Sequence, residues 1–180
     1  MDSNSLNSFM AKFFQIAIIT LLLITNILAF SNTNNTINSV SMAIEGASLL
    51  KKSKEAFFPL NILYYYVGIN QLSYAISKDP SNLDIRLIRA TALFDFIEKN
   101  TIVQDIIIED LEFFLLFKDK YPYSSKISID IPYYMLSYIF AIKKNNLKAY
   151  YYFEKLQREV PESSLIQKLE NTFPKYFQRP

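Results

Sequence analysis

The chain predicts an all-α fold built as a stack of antiparallel helix hairpins, and three observations carry that expectation. Only 2 glycines occur in 180 residues while 51% are hydrophobic, a balance that disfavours turn-rich β architectures and favours helices. Pro80, Pro122 and Pro161 each follow an apolar segment of helical period and a charged residue or two, where proline would block further helix. Residue sizes also recur in helical order: Tyr133, Leu136, Ser137 and Phe140, then, after eight intervening residues, Ala149, Phe153, Leu156 and Pro161. In that order the small residues let two antiparallel helices approach, and the large ones fill the groove between them.

Taken in order, the chain opens with an apolar stretch, residues 13–30, interrupted only by Gln15, Thr20, Thr25 and Asn26. Lys12 precedes it, and Ala29 and Ser31 put small residues where a signal peptidase reads. Residues 1–31 are therefore expected to be a secretory signal peptide cut after Ser31. The rival is an uncleaved membrane anchor, since about 18 to 20 apolar residues can just span a bilayer, and Asp2 offsets Lys12 in the leading segment. Residues 32–37 read as a polar, disordered start. Asn34-Asn35-Thr36 fits a glycosylation sequon, which an Asn-rich stretch also produces by chance.

The helical domain is expected over residues 38–173, with residues 174–180 as a short tail and seven helices in all. A first helix over about residues 38–58 ends at Pro59, and a second follows over 61–77, where Gly68, Leu72 and Ala75 precede Pro80. Arg86, Arg89, Ala90 and Leu93 open the next hairpin. Its second helix, over about 102–118, carries Asp110, Phe114 and Phe117 ahead of Pro122. Ser128 or Asp130 is placed to cap a helix beginning near Ile131 with Pro132 in its first turn. Ser163 and Ser164 cap a last helix, with Leu165, Leu169 and Phe173 on one face.

This spacing resembles the tetratricopeptide (TPR) repeat. The resemblance is specific over residues 133–161, holds for half of each earlier hairpin, and is weak before Asn61. The prolines are 42 (122 minus 80) and 39 (161 minus 122) residues apart, against about 34 in the family. Insertions are therefore expected at residues 98–105 and 123–130. Asp110 also departs from the pattern, standing where a small apolar residue belongs. The resemblance implies a right-handed TPR-like stack sealed by a C-terminal capping helix, because one such hairpin cannot bury its apolar face alone. It also implies a concave groove lined by the first helices, here Asp84, Leu87, Thr91 and Phe94 in one unit and Tyr134 and Tyr138 in the next. Repeats of this kind that clamp a C-terminal carboxylate use Lys and Asn on those stripes, and here the stripes are Tyr and apolar.

Composition bounds the chemistry. Neither Cys nor His occurs, which excludes disulfides, thiolate and imidazole metal sites, and Cys-His or Ser-His-Asp nucleophilic machinery; a lipoprotein cysteine is excluded too. The net charge of +2 gives no general drive toward nucleic acid, and the tyrosine clusters at 64–66, 133–138 and 150–152 lack the interleaved Lys and Arg of a single-strand binder. Asp105, Glu109 and Glu112 share a helix face at spacings of four and three, an arrangement expected to be solvated rather than to hold a cation. Arg86 and Arg89 face the partner helix at the level of Asp110 and are expected to form a structural ion pair with it, since a buried charge needs a partner. The alternative is an arginine pair that captures a carboxylate or phosphate.

These readings converge on an exported, non-catalytic protein-interaction module that uses no cofactor and no metal. It would take a peptide or helix in its concave groove, with Leu87, Phe94, Tyr134 and Tyr138 as anchors, and truncation of Tyr134 or Tyr138 is expected to weaken capture while sparing stability. The alternative is a membrane-anchored structural component of a cell-envelope assembly.

Overall fold

The computed structural model describes residues 38–98, 100–120 and 128–177. The chain divides into two units, Met1–Asn38 and Ser39–Pro180, and all described residues but Asn38 belong to the second. The signal or anchor segment and most of the insertion expected at 123–130 lie outside the described residues. Among those residues the fold is all-helical, without a strand. No described helix is long and apolar enough to cross a membrane.

Eight α-helices are seen: α1 (Ser39–Glu55), α2 (Leu60–Lys78), α3 (Leu83–Leu93), α4 (Thr101–Phe117), α5 (Asp130–Ile142), α6 (Asn146–Glu159), α7 (Ser164–Thr172) and α8 (Pro174–Phe177). A 3-10 turn, Phe94–Phe96, extends α3, and another, Lys118–Lys120, extends α4. Short polar side chains cap the starts of four helices. Asn82 accepts hydrogen bonds from the backbone N–H groups of Asp84 and Ile85, and Asn100, Asn145 and Ser163 accept from those of Val103, Lys148 and Leu165. Each cap satisfies a donor that the first turn cannot.

The helices pair in chain order, α1 with α2, α3 with α4 and α5 with α6; α3 also packs on α1, and α7 and α8 pack on α5 and α6. The first pair crosses at the chain's two glycines. A Cβ built on Gly46 would lie 2.9 Å from the Gly68 carbonyl oxygen, and one on Gly68 would lie 2.8 Å from that of Gly46. Gly46 also abuts Leu72, and Gly68 abuts Leu50. Contacts that run in opposite directions along the two helices define an antiparallel crossing. The sequence pattern identified Gly68 but not its counterpart, because α1 follows the repeat poorly.

Ala90 and Ala149 are fully buried within the second and third pairs, as is Ser137. Residues 174–177, expected as part of a short tail, are not free. Pro174–Phe177 is helical, and Phe177 is buried with its ring centroid 4.6 Å from that of Phe153. An aromatic residue four positions past the α7 face reaches back to the core, adding an eighth helix to the seven expected.

Candidate functional site: the groove between the first helices

Helices α1 and α3 diverge enough to leave an open cavity of about 550 Å³. Its α1 wall carries Ala47, Leu50, Lys51, Lys54 and Glu55, and its α3 wall carries Ile88, Thr91 and Ala92, with Asp95 and Phe96 from the 3-10 turn. Residues three, four and seven apart share a helix face, so Ala47, Lys51 and Lys54 form one stripe. Each wall includes a small residue, Ala47 on α1 and Ala92 on α3, which takes up little of that space. Lys54 Nζ lies 2.6 Å from Asp95 Oδ2 and links the walls, with both side chains half-exposed. Lys51 and Glu55 have no ion-pair partner among the described residues. The Thr91 hydroxyl lies 2.8 Å from the Leu87 carbonyl and 3.1 Å from that of Ile88, so its proton is held within its own helix.

The residues expected to line a continuous groove separate into two groups. Thr91 lines the cavity, while Asp84 is exposed at the start of α3 and Leu87 is half-buried against the core. Phe94, Tyr134 and Tyr138 lie together elsewhere. The Phe94 ring centroid is 6.0 Å from that of Tyr134 and 5.4 Å from that of Tyr138, which lies 4.9 Å from Phe173. Tyr134 is only 6% exposed, and Tyr138 is half-buried. Large rings fill the space at this junction, so Tyr134 is a core residue and not an open anchor. Burial and the neighbouring Tyr134 and Glu98 raise the Tyr138 phenol above its ordinary pKa.

Sequence reasoning missed Ala47, Lys51, Lys54, Asp95 and Phe96. The available signal was the triplet of lysines ending α1, opposite an Asp seven residues after Ile88. The stripe on α3 lacks Lys, but α1 supplies cations to the same groove, so that composition alone does not decide what the groove accepts.

Beside the groove, α3 and α4 are joined by a buried ion cluster. Asp110 is 0% exposed. It accepts from Arg89 Nε at 2.6 Å and Nη2 at 2.7 Å, and from Arg86 Nη1 at 2.9 Å. Arg86 also donates through Nε to the Pro80 carbonyl at 2.9 Å, and its guanidinium sits 3.9 Å from the Phe113 ring centroid. Burial pushes the Asp110 carboxyl up, opposed by the hydrogen bond and charge of Arg89 and the charge of Arg86. The carboxylate has three charge-assisted bonds and no accessible surface, so this cluster holds helices together and offers nothing to a ligand.

The remaining acidic face of α4 ties the second pair to the third. Asp105 pairs with Lys143 at 2.9 Å, Glu112 pairs with Lys148 at 3.4 Å, and Glu112 accepts from the Tyr152 hydroxyl at 2.9 Å. Burial and that acceptor raise the Tyr152 phenol, as burial and Glu159 raise Tyr133. Glu109 reaches Arg86 at 3.5 Å. No group of three or more acidic side chains able to hold a metal occurs among the described residues. No family model, curated protein or solved structure matches the chain.

Proposed function

We propose that this chain is a TPR-like protein-interaction module, and that a protein segment occupies the groove between α1 and α3. The observation that carries this reading is the open cavity of about 550 Å³, lined by Ala47, Ile88, Thr91 and Phe96 and edged by Lys51 and Glu55. Apolar lining gives an inserted side chain somewhere to bury, and the charged rim fixes its register. The succession of helix pairs, with α3 packed on α1, supports a stacked-hairpin arrangement. Export by residues 1–31 belongs to the same proposal, and mass spectrometry of the mature N-terminus tests it: a chain beginning at residue 32 is the exported form. A chain beginning at residue 1 favours the reading as a membrane-anchored component of a cell-envelope assembly.

A photoreactive amino acid at position 91 in the native cell tests the groove. The expected result is a discrete crosslinked partner that is lost when Ala47→Trp fills the cavity, with the thermal transition retained. Capture that survives a folded Ala47→Trp variant would place the binding surface elsewhere.

A further inference from the structure

The connection between α1 and α2 exposes apolar surface that the rest of the described domain leaves uncovered. Phe57 and Phe58 are 88% and 79% exposed, and Leu60 and Ile62, in the first turn of α2, are exposed as well. Single exposed hydrophobic residues are ordinary, but four within six positions concentrate apolar surface at this connection, the tip of the hairpin. Lys51 and Lys52 precede it near the end of α1, with Glu55 between them and Phe57; all three are exposed and none is ion-paired among the described residues, so the two lysines outnumber the one carboxylate. Aromatic rings favour the boundary between headgroups and acyl chains, while lysine ammonium groups favour anionic headgroups. A tip with both matches the chemistry of an anionic membrane surface.

Chain length points the same way. The apolar stretch ends at Phe30 and α1 begins at Ser39. The eight residues between them span at most about 26–29 Å when extended, and the 17 residues of α1 cover about 25 Å. In a chain whose residues 13–30 remain in a bilayer, the far end of α1 is therefore within reach of the same surface. We propose that the tip formed by Phe57, Phe58, Leu60 and Ile62, with Lys51 and Lys52 preceding it, docks on the surface of an anionic lipid bilayer. This surface is separate from the α1–α3 groove except at Lys51, which borders both.

The chain has no tryptophan, so Phe57→Trp in the full-length protein gives a single reporter at the tip. Vesicles of phosphatidylcholine, alone or with phosphatidylglycerol, and with or without brominated acyl chains, supply the surface. The expected result is a blue-shifted emission quenched by brominated chains, more strongly with phosphatidylglycerol. Lys52→Gln in the same background is expected to lower the docked-to-free ratio of the tip about fivefold on the anionic vesicles. Tyr150→Trp, on the exposed face of α6, is expected to stay unquenched, which separates tip docking from insertion of the N-terminal segment. Phe58→Trp replaces the first reporter if Phe57→Trp does not fold. A tip tryptophan that emits in vesicles as it does in buffer overturns the proposal, as does equal quenching in neutral and anionic vesicles or quenching at position 150. A blue shift in buffer that grows with protein concentration would overturn it in favour of a second copy covering the tip.

Discussion

Asp110 concentrates more energetic consequence than any other ionisable group described. Replacing it with Ala leaves two guanidiniums without their acceptor inside the α3–α4 pair, and the expected loss is about 3–5 kcal/mol by urea denaturation. Glu109→Ala removes only an exposed carboxylate 3.5 Å from Arg86, and less than about 1 kcal/mol is expected. This cluster was legible in the sequence, because an acid at a small-residue site and two arginines opposite it explain one another only as a pair. The end of α5 was less legible. Lys144 has φ 56°, with its N–H bonded to the Ala141 carbonyl and the Asn145 N–H bonded to the Phe140 carbonyl. That closing motif favours glycine, and Lys144→Gly is expected to raise stability by roughly 0.5–1 kcal/mol, read as an upward shift of the thermal midpoint. No local pattern announced it, since lysine is the wrong residue for the position. Asp130 supplies a pH test. Burial pushes its carboxyl up, but hydrogen bonds from Ser128, Ser163 and the Ile131 N–H outweigh that and lower its pKa below 3.8. A depressed acid contributes stability above the unfolded value that is lost as pH falls through the folded one. The Asp130→Asn variant is therefore expected to lose less stability than the parent when the pH of a denaturation series is taken below about 4.

The α1–α2 pair shows why helical elements were easier to read than their partnerships. Helix bounds follow from apolar period and breakers, and those expected for α2 and α4 differ from the observed ones by a residue at each end. The crossing depends on which small residues face each other, and α1 lacks the aromatic landmarks that would reveal its register. Only the structure sets Gly46 against Gly68. Each glycine costs its helix about 1 kcal/mol relative to alanine, and the close approach of the backbones offsets that cost. With Gly46→Ala, the new Cβ meets backbone at 2.9 Å and the Leu72 side chain at 3.0 Å, so the helices must separate. Overpacking of this kind costs about 1–3 kcal/mol, and the propensity gain returns about 1. Either single alanine is expected to lower stability by up to about 2 kcal/mol net. The double variant should cost less than the sum of the two, because the separation forced by one methyl also makes room for the other; chemical denaturation of all four chains checks the coupling.

At the scale of the domain, the junctions between successive pairs are built differently. Between α1 and α3 lies a cavity, with a small residue on each wall and the Lys54–Asp95 bridge linking them. Phe94, Tyr134, Tyr138 and Phe173 instead close the space where α3's extension meets α5 and α7. The sequence placed the tyrosines on the correct helices but could not tell lining from filling. That distinction depends on what packs opposite, here the 3-10 turn after α3 and the residue ending α7. The consequence separates binding from stability by position. Truncating Tyr134 to Ala removes a ring that is 6% exposed and opens a cavity beneath Phe94 and Lys168. About 3 kcal/mol of stability is expected to go with it. Lys51→Ala removes an exposed side chain without an ion pair, and a change within about 0.5 kcal/mol is expected. If the groove between α1 and α3 is where a partner sits, Lys51→Ala weakens capture while its thermal transition matches the parent's. Tyr134→Ala then loses capture only in proportion to the fraction unfolded. Calorimetry and partner titration on the same two preparations check this, and a Tyr134→Ala chain with the parent's melting curve would return that tyrosine to the surface.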